Sequence, residues 1–279
     1  MARTAAEKRT TFRALHQRGC FVLPNPWGVG SARLLQHLGF AALASTSSGY
    51  AWTTGRPDYA VTRDDVLAHL TSLCGAVDLP VNADFESGFA ADPEAVAANV
   101  ALAIGTGVAG LSIEDRKIDG TDALFDLPCA VERVRAAREA VDRSGEDVVL
   151  VARTEGLLCD PGAVGPAIDR LVAFAEAGAD CLYAPGVRDP ETVAAIVKAV
   201  APKPVNVLVG SPGLTVAQLA SLGVRRISVG GALARAAWAG FIRASKEILE
   251  HGTFGGFTGA TPHGELEKLF KTAADTRAG

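Results

Sequence analysis

Eight short apolar runs, evenly spaced along 279 residues and separated by stretches of helical period, leave this chain few folds to choose from. The runs are Cys20–Leu23, Ala41–Ser45, Pro80–Ala83, Gly110–Ile113, Val148–Ala152, Asp180–Tyr183, Pro204–Val207 and Arg226–Val229. Between them, Ala95–Ile104, Val131–Val141, Val164–Ala177 and Glu191–Val200 repeat apolar residues at helical spacing. Gly39, Gly107, Gly178 and Gly223 stand where those helices must stop before the next strand. Strands alternating with helices predict a parallel sheet with right-handed crossovers. At this length the natural closure is a (β/α)8 TIM barrel. A doubly wound open sheet is the competing arrangement, but no G-x-G-x-x-G follows the first strand.

No linker interrupts the pattern. Residues 1–251 are expected to form the barrel and catalytic domain, and 252–279 a C-terminal tail. The tail opens with the glycine-rich stretch Gly252–Gly259 and continues with the amphipathic segment Glu265–Ala274, where Leu266, Leu269 and Phe270 share a face. It has too little apolar surface to fold alone. It is expected to dock on its own barrel or on a neighbour's, in a homodimer or homotetramer.

Charge and composition exclude other classes. With 31 acidic and 27 basic residues the net charge is −4, so no basic field exists to hold nucleic acid or an anionic membrane. The apolar runs fall well short of the ~20 residues that span a bilayer. Residues 1–19 are charged, with no apolar core of a secretory signal. Five cysteines without a CxxC pair fit a reducing compartment, and the cytoplasm is the expected location.

In barrels of this kind the reacting groups sit at the C-terminal ends of strands and in the loops that follow. Strand 2 leads into Ser47-Ser48-Gly49-Tyr50 and on to Arg56-Pro57-Asp58, and strand 3 ends in Asn82-Ala83-Asp84-Phe85-Glu86-Ser87-Gly88-Phe89. Strand 4 ends in Ser112-Ile113-Glu114-Asp115, strand 5 in Ala152-Arg153-Thr154-Glu155, strand 7 in Asn206, and strand 8 in Gly230-Gly231. Carboxylates gathered in this way repel one another unless a cation neutralises them. All five histidines fall in helices or the tail, and no cysteine adjoins the acids, so a metal site here is all oxygen. That donor set selects Mg²⁺, with Mn²⁺ as the alternative, over zinc. Asp84 is the expected direct ligand, with Glu86 and Glu114 holding bound waters. Arg153 is then free to pair with a substrate carboxylate. Of seven lysines only Lys117 lies near a strand's C-terminal end, in a loop beside acids, so no Schiff-base lysine is available.

Several of these residues have plainer readings. Asp92 before Pro93 reads as a helix cap. Asp58 after Pro57 is also ordinary turn chemistry, Ser47 and Ser48 beside Gly49 could form only a turn, and Arg153 could be a structural ion-pair partner. Gly230-Gly231 fits either a phosphate-cradling turn or tight packing of the last strand. Cys159 and Cys181 read as packed thiols, and Trp27 as a packing residue at the barrel mouth.

Taken together, the motifs resemble those of the isocitrate lyase/phosphoenolpyruvate mutase superfamily from Leu23-Pro24-Asn25 to about Ala237. The family's D-x-D-x-G-[YF] segment is matched by Asp84-Phe85-Glu86-Ser87-Gly88-Phe89, with glutamate in place of the second aspartate. Its I-E-D turn is matched by Ile113-Glu114-Asp115, and its A-R-T-[DE] strand end by Ala152-Arg153-Thr154-Glu155. The S-G-x turn and the P-D that follows resemble Ser48-Gly49-Tyr50 and Pro57-Asp58. The resemblance implies a Mg²⁺-dependent lyase that acts on a small 2-oxo or 2-hydroxy dicarboxylate through an enolate. Asp58, Asp84, Glu86 and Glu114 would belong to the metal shell, and Ser48, Gly49, Tyr50, Arg153 and Asn206 would hold the substrate. Arg153, Glu114 and Asp58 would carry catalysis. C–P bond chemistry and a non-catalytic 2-oxo acid binder are the alternatives.

One departure narrows the chemistry. The lyase branch carries a K-[KR]-C-G-H loop after strand 4, whereas this chain reads Arg116-Lys117-Ile118-Asp119-Gly120-Thr121-Asp122-Ala123, and the P-K-x-N-like loop of the phosphonate enzymes is also missing. No cysteine, histidine or tyrosine lies between Arg116 and Leu127, so the loop is expected to act as a lid without supplying a proton. Decarboxylation of a 2-oxo dicarboxylate, which needs no strong base to start it, should then survive where isocitrate cleavage does not.

Overall fold

The computed structural model describes residues 2–118, 121 and 123–278. Asp119, Gly120 and Asp122, expected in the strand-4 loop, lie outside the described residues. Eight parallel strands form the sheet: β1 (Phe21–Leu23), β2 (Leu43–Ala44), β3 (Val81–Asp84), β4 (Gly110–Glu114), β5 (Val149–Arg153), β6 (Cys181–Tyr183), β7 (Val205–Leu208) and β8 (Arg226–Ser228). Pairing runs in order from β2 to β8 and then to β1. The Ala44 amide donates to the Pro24 carbonyl at 3.1 Å, and Asn25 Nδ2 donates to the Ser45 carbonyl at 2.8 Å, which bridges β1 and β2. The architecture is a (β/α)8 barrel.

The helices are α1 (Ala5–Gln17), α2 (Val29–His37), α3 (Ser47–Thr53), α4 (Arg63–Ala76), α5 (Pro93–Gly105), α6 (Leu127–Ser144), α7 (Gly156–Cys159), α8 (Val164–Glu176), α9 (Pro190–Val200), α10 (Val216–Ser221), α11 (Ala232–His251) and α12 (His263–Ala278). Side-chain caps explain many starts: Thr62, Asp92, Asp126, Asp189 and Thr215 each accept from a backbone N–H of the first turn. Gly39, Gly107, Gly178 and Gly223 have φ of +90°, +91°, +104° and +89°, so the expected stops use the left-handed conformation that glycine adopts without strain. No described helix is long and apolar enough to cross a membrane.

One helix precedes the barrel. Thr4 and Glu7 form a capping box that starts α1, and Phe12 on α1 is fully buried. Phe12 enters the barrel interior with Leu23, Ala44, Val149, Val151, Cys181 and Tyr183. Gly110 on β4 leaves room for it, since a Cβ there would stand 2.7 Å from the Phe12 ring. Lys8 donates to the carbonyls of Cys74 and Val77, and Arg9 to those of Ile104 and Val108, which satisfies the last turns of α4 and α5. The N-terminal end of the barrel is thus plugged, and the C-terminal end is left as its mouth.

The parallel register sets side chains of successive strands beside one another. Glu114 pairs with Arg153, Arg153 with Tyr183, Tyr183 with Asn206, and Asn206 with Arg226. Beyond the barrel, α12 lies against α2 of the same chain, with Phe270 close to Gly30. Much of α11 is uncovered: Phe241 is 63% exposed and Leu249 86%, and Phe254 and Phe257 in the following turn are exposed as well.

Candidate active site

The barrel mouth holds a narrow cavity of about 140 Å³ lined by Ser45, Ser48, Asp58, Asp84, Arg153, Tyr183, Arg226, Ser228 and the Gly230-Gly231 turn, among others. Asp84, the last residue of β3, is fixed at both ends: its amide donates to Ser45 Oγ at 2.8 Å, and its Oδ2 accepts from the Ser47 amide at 3.0 Å. Asp58 reaches the same cavity from the loop after α3, and Ser47 also lies on its wall.

Glu114 is almost completely buried at the end of β4. Its Oε1 accepts from the Tyr59 hydroxyl at 2.8 Å, and its Oε2 lies 3.4 Å from Arg153 Nε. Glu86 opens on a neighbouring cavity of about 240 Å³ shared with Tyr59, Ser87, Arg116 and Lys117. Its Oε1 is buried with no hydrogen-bond partner. Burial first, and then repulsion from Asp84, Glu114 and Asp58, pushes the Glu86 carboxyl up to about 9. Burial also raises Glu114 against the pull of Arg153, and burial with Asp84 raises Asp58.

Arg153 is the cation that faces these acids, but it is not free. Its Nε is held tightly by Glu155 and lies near Glu114, while Nη1 makes only a 3.4 Å contact with Asp84. Its guanidinium stands 5.1 Å from the Tyr183 ring. Asp115, the third residue of the I-E-D turn, accepts from the Glu155 amide at 2.9 Å and from Arg170 at 3.1 Å, and so braces the arginine's partner.

The expected substrate turn after β2 is a helix instead. Thr46 caps α3, and successive residues on a helix diverge by about 100°. Only Ser48 of the Ser48-Gly49-Tyr50 trio reaches the cavity wall. Gly49 is buried in a close approach, where a Cβ would stand 2.6 Å from Thr46 Cγ2 and 3.1 Å from Trp27 Cβ. Tyr50 turns away, stacked on His69 at 3.9 Å with its hydroxyl donating to the Asp65 carbonyl. Asn206 is buried behind the wall, held between Ser228 and Arg226. Asp92 is the helix cap the sequence suggests; of the two cysteines expected to be packed, Cys181 is buried inside the barrel and Cys159 is exposed.

Three residues at the site, Tyr59, Tyr183 and Arg226, carry no sequence signal of the kind used above. Tyr59 has φ +62°, binds Glu114, and lies 4.3 Å beneath the Arg116 guanidinium. Glu86 and Phe89 also have positive φ, and such backbone strain in non-glycine residues tends to collect at functional sites. Tyr183 escapes because β6 ends without a charge. Arg226 escapes because its partners are amides, Asn206 and Asn82, rather than acids. Ser47 reads as turn chemistry until its amide is seen on Asp84. The alternation of inward and outward residues in β6 and β8 would have flagged Tyr183 and Arg226.

Among the described residues no three acidic, histidine or cysteine side chains are drawn up around one point as a ready-made metal cage. A magnesium site does not require one, because the ion keeps several waters and takes one or two carboxylates directly. The donor chemistry fits a hard dication: every candidate ligand is oxygen, the carboxylates repel one another, and one buried oxygen lacks a partner.

An acidic, arginine-braced mouth on a (β/α)8 barrel defines the general class. Residues 12–249 match the phosphoenolpyruvate phosphomutase family, and the chain belongs to it, within the isocitrate lyase/phosphoenolpyruvate mutase superfamily. It is an enzyme of that type. A solved structure from Burkholderia cenocepacia J2315 is 44% identical, covers 96% of this chain and 97% of its own, and superposes with a TM-score of 0.93. The oxaloacetate decarboxylase of Pseudomonas aeruginosa is 33% identical over 81% of this chain and 80% of its own. An oxaloacetate acetylhydrolase solved with its product oxalate is 29% identical, with a TM-score of 0.86 over 99% of this chain and 96% of its own.

Proposed function

We propose that this chain is a Mg²⁺-dependent carbon–carbon lyase that acts on a small 2-oxo or 2-hydroxy dicarboxylate through an enolate, with oxaloacetate decarboxylation its favoured reaction. The observation that carries this reading is the cluster of Asp58, Asp84, Glu86 and Glu114 around Arg153, with a partnerless buried oxygen on Glu86. Asp84 would hold the ion directly, and Glu86, Glu114 and Asp58 would hold its waters. Bound there, Mg²⁺ would supply the positive charge that lets the 2-oxo group accept electrons as the bond breaks. Ser48 and the loosely held Nη side of Arg153 would orient the substrate carboxylate in the cavity. The names of the decarboxylase and acetylhydrolase relatives support this substrate class.

The test is a panel of oxaloacetate, isocitrate, 2-methylisocitrate and phosphonopyruvate with saturating Mg²⁺ and with EDTA. Oxaloacetate should have the highest kcat/KM, and EDTA should abolish turnover. Isocitrate cleavage at about 10⁴ M⁻¹s⁻¹ or more would overturn the reading. Metal-dependent oxalate binding without any product would instead identify a binding protein.

The carboxyl values give a second test. Glu86 in the folded chain sits at about 9, above its ordinary 4.5, and Glu114 and Asp58 are also raised. The native state therefore binds these protons more tightly than the unfolded chain does. Their stabilising contribution is complete below about pH 4 and is lost as pH rises through about 9. In EDTA the melting temperature should fall across that window, and Mg²⁺ should restore more of it at pH 9 than at pH 6. Equal Mg²⁺ effects at the two values would remove the metal from this cluster.

The same proposal includes a homodimer or homotetramer in the cytoplasm, with 252–279 as a tail distinct from the barrel of 1–251. Trp238, Phe241, Ile242 and Leu249 leave α11 with an apolar face that a monomer would have to keep in water. A second copy is its expected cover, and the tail, which lies against α2 of its own chain in this structure, would cross the boundary by exchange. A chain ending at Gly259 should lose mass in solution and melt at a lower temperature. Unchanged mass and melting would count against the exchange.

A further inference from the structure

The loop after β4 carries no cysteine, histidine or tyrosine between Arg116 and Leu127, yet the enolate left by C–C cleavage must be protonated at carbon. We propose that Tyr183 supplies this proton, as the end of a directed hydrogen-bond chain that starts at Arg226. The inference rests on the lyase reading above and names the acid that reading lacks.

The chain crosses three neighbouring strands in register. Arg226 on β8 is 3% exposed, and among the described residues no carboxylate lies within ion-pair distance of it. Its Nε donates to Asn206 Oδ1 at 3.0 Å, and its Nη1 donates to Asn82 Oδ1 at 3.2 Å. With Oδ1 accepting, Asn206 presents its Nδ2, which donates to Ser228 Oγ at 2.9 Å. Ser228 lines the same cavity as the Tyr183 phenol, and its hydroxyl lowers the phenol's affinity for its proton. With the serine hydrogen given to the phenol oxygen, the phenol's own hydrogen is left to point into the cavity. Each link polarises the next in the same sense, away from the Arg226 guanidinium.

The surroundings suit an acid that acts late. Burial, opposed by Arg153, pushes the Tyr183 phenol up to about 12, so it holds its proton at rest. The two guanidiniums, Arg153 at 5.1 Å from the ring and Arg226 behind the chain, favour the phenolate once the proton has left. Tyr183 lines the same cavity as Asp84, Ser48 and Arg153. In a 2-oxo dicarboxylate the C3–C4 bond breaks, carbon dioxide leaves, and the bond's electron pair forms the enolate. The enolate's C2–C3 pair then takes the phenol proton at C3, and solvent reprotonates the phenolate. No oxidant or further reactant is needed.

Two variants test the assignment with Mg²⁺ present. Tyr183→Phe keeps the ring beside Arg153 and removes only the hydroxyl. Its kcat for oxaloacetate should fall about 10²-fold or more, with the Kd for oxalate within twofold of wild type. Pyruvate, followed with lactate dehydrogenase, should lag behind carbon dioxide, because the enol is released and ketonises in solution. A kcat within threefold of wild type overturns the proposal. So does a fall in kcat matched by a fall in oxalate affinity, since that marks a residue that only shapes the cavity. If Tyr183→Phe does not fold, Ser228→Ala decides: a lower kcat with unchanged oxalate affinity upholds the chain, and an unchanged kcat overturns it. A wild-type enzyme that neither turns over oxaloacetate nor binds oxalate fails the lyase reading itself, a result distinct from all of these.

Discussion

Asp84→Ala should lower kcat/KM by at least about 10³-fold, which corresponds to about 4 kcal/mol of transition-state stabilisation. Asp84 is the one strand-end carboxylate that lines the cavity directly, and both its amide and its Oδ2 are pinned by the residues that follow β2. A group held that firmly is suited to fix an ion rather than to move. Its removal should not unfold the chain. It takes one negative charge from beside Glu86 and Asp58, whose carboxyls are raised partly by Asp84 itself. The melting temperature in EDTA should therefore stay level or rise, while the rise on adding Mg²⁺ disappears. A variant that binds Mg²⁺ and oxalate as tightly as wild type would show that the ion sits elsewhere.

Arg153→Met should be costly in a different way. The guanidinium is the shared partner of Glu155, Glu114 and Asp84, and two of those acids are almost fully buried. Removing one partner of a buried ion pair leaves the other uncompensated, at about 3–5 kcal/mol. Burial already raises Glu114, and Arg153 is what holds it down. Without the arginine Glu114 rises further, so the loss of stability should be greater at pH 8 than at pH 5. Arg153→Lys should recover part of the stability through its charge but little of the activity, because an ammonium cannot reproduce the planar fork. Chemical denaturation at the two pH values, with kcat/KM for oxaloacetate, checks both variants. Equal destabilisation at both pH values would mean that Glu114 is not the acid left exposed.

The frame of the molecule was legible because its signals are local. A run such as Val148–Ala152 ends against charge or glycine, and β5 forms at Val149–Arg153. The acids at the ends of β3 and β4 were legible because carboxylates close to buried strands demand an explanation. Helix α3 was not, because Ser47-Ser48-Gly49-Tyr50 has poor helix propensity and is helical only through the Thr46 cap and the packing of Gly49 against Trp27. The side chains of Gly49 and Tyr50, expected at the substrate, therefore do not line the cavity. Asn206 stands out in the sequence as the polar residue of the seventh run, but its partners lie on another strand, and spacing along a chain cannot report them.

The Phe12 plug bears on traffic through the enzyme. A barrel sealed at its base is a well with one opening, so water, substrate and products share a single route. Whatever forms at the bottom waits for whatever stands above it, which imposes an order of departure that the chemistry alone does not. Anything that narrows the mouth must therefore slow loading and emptying together.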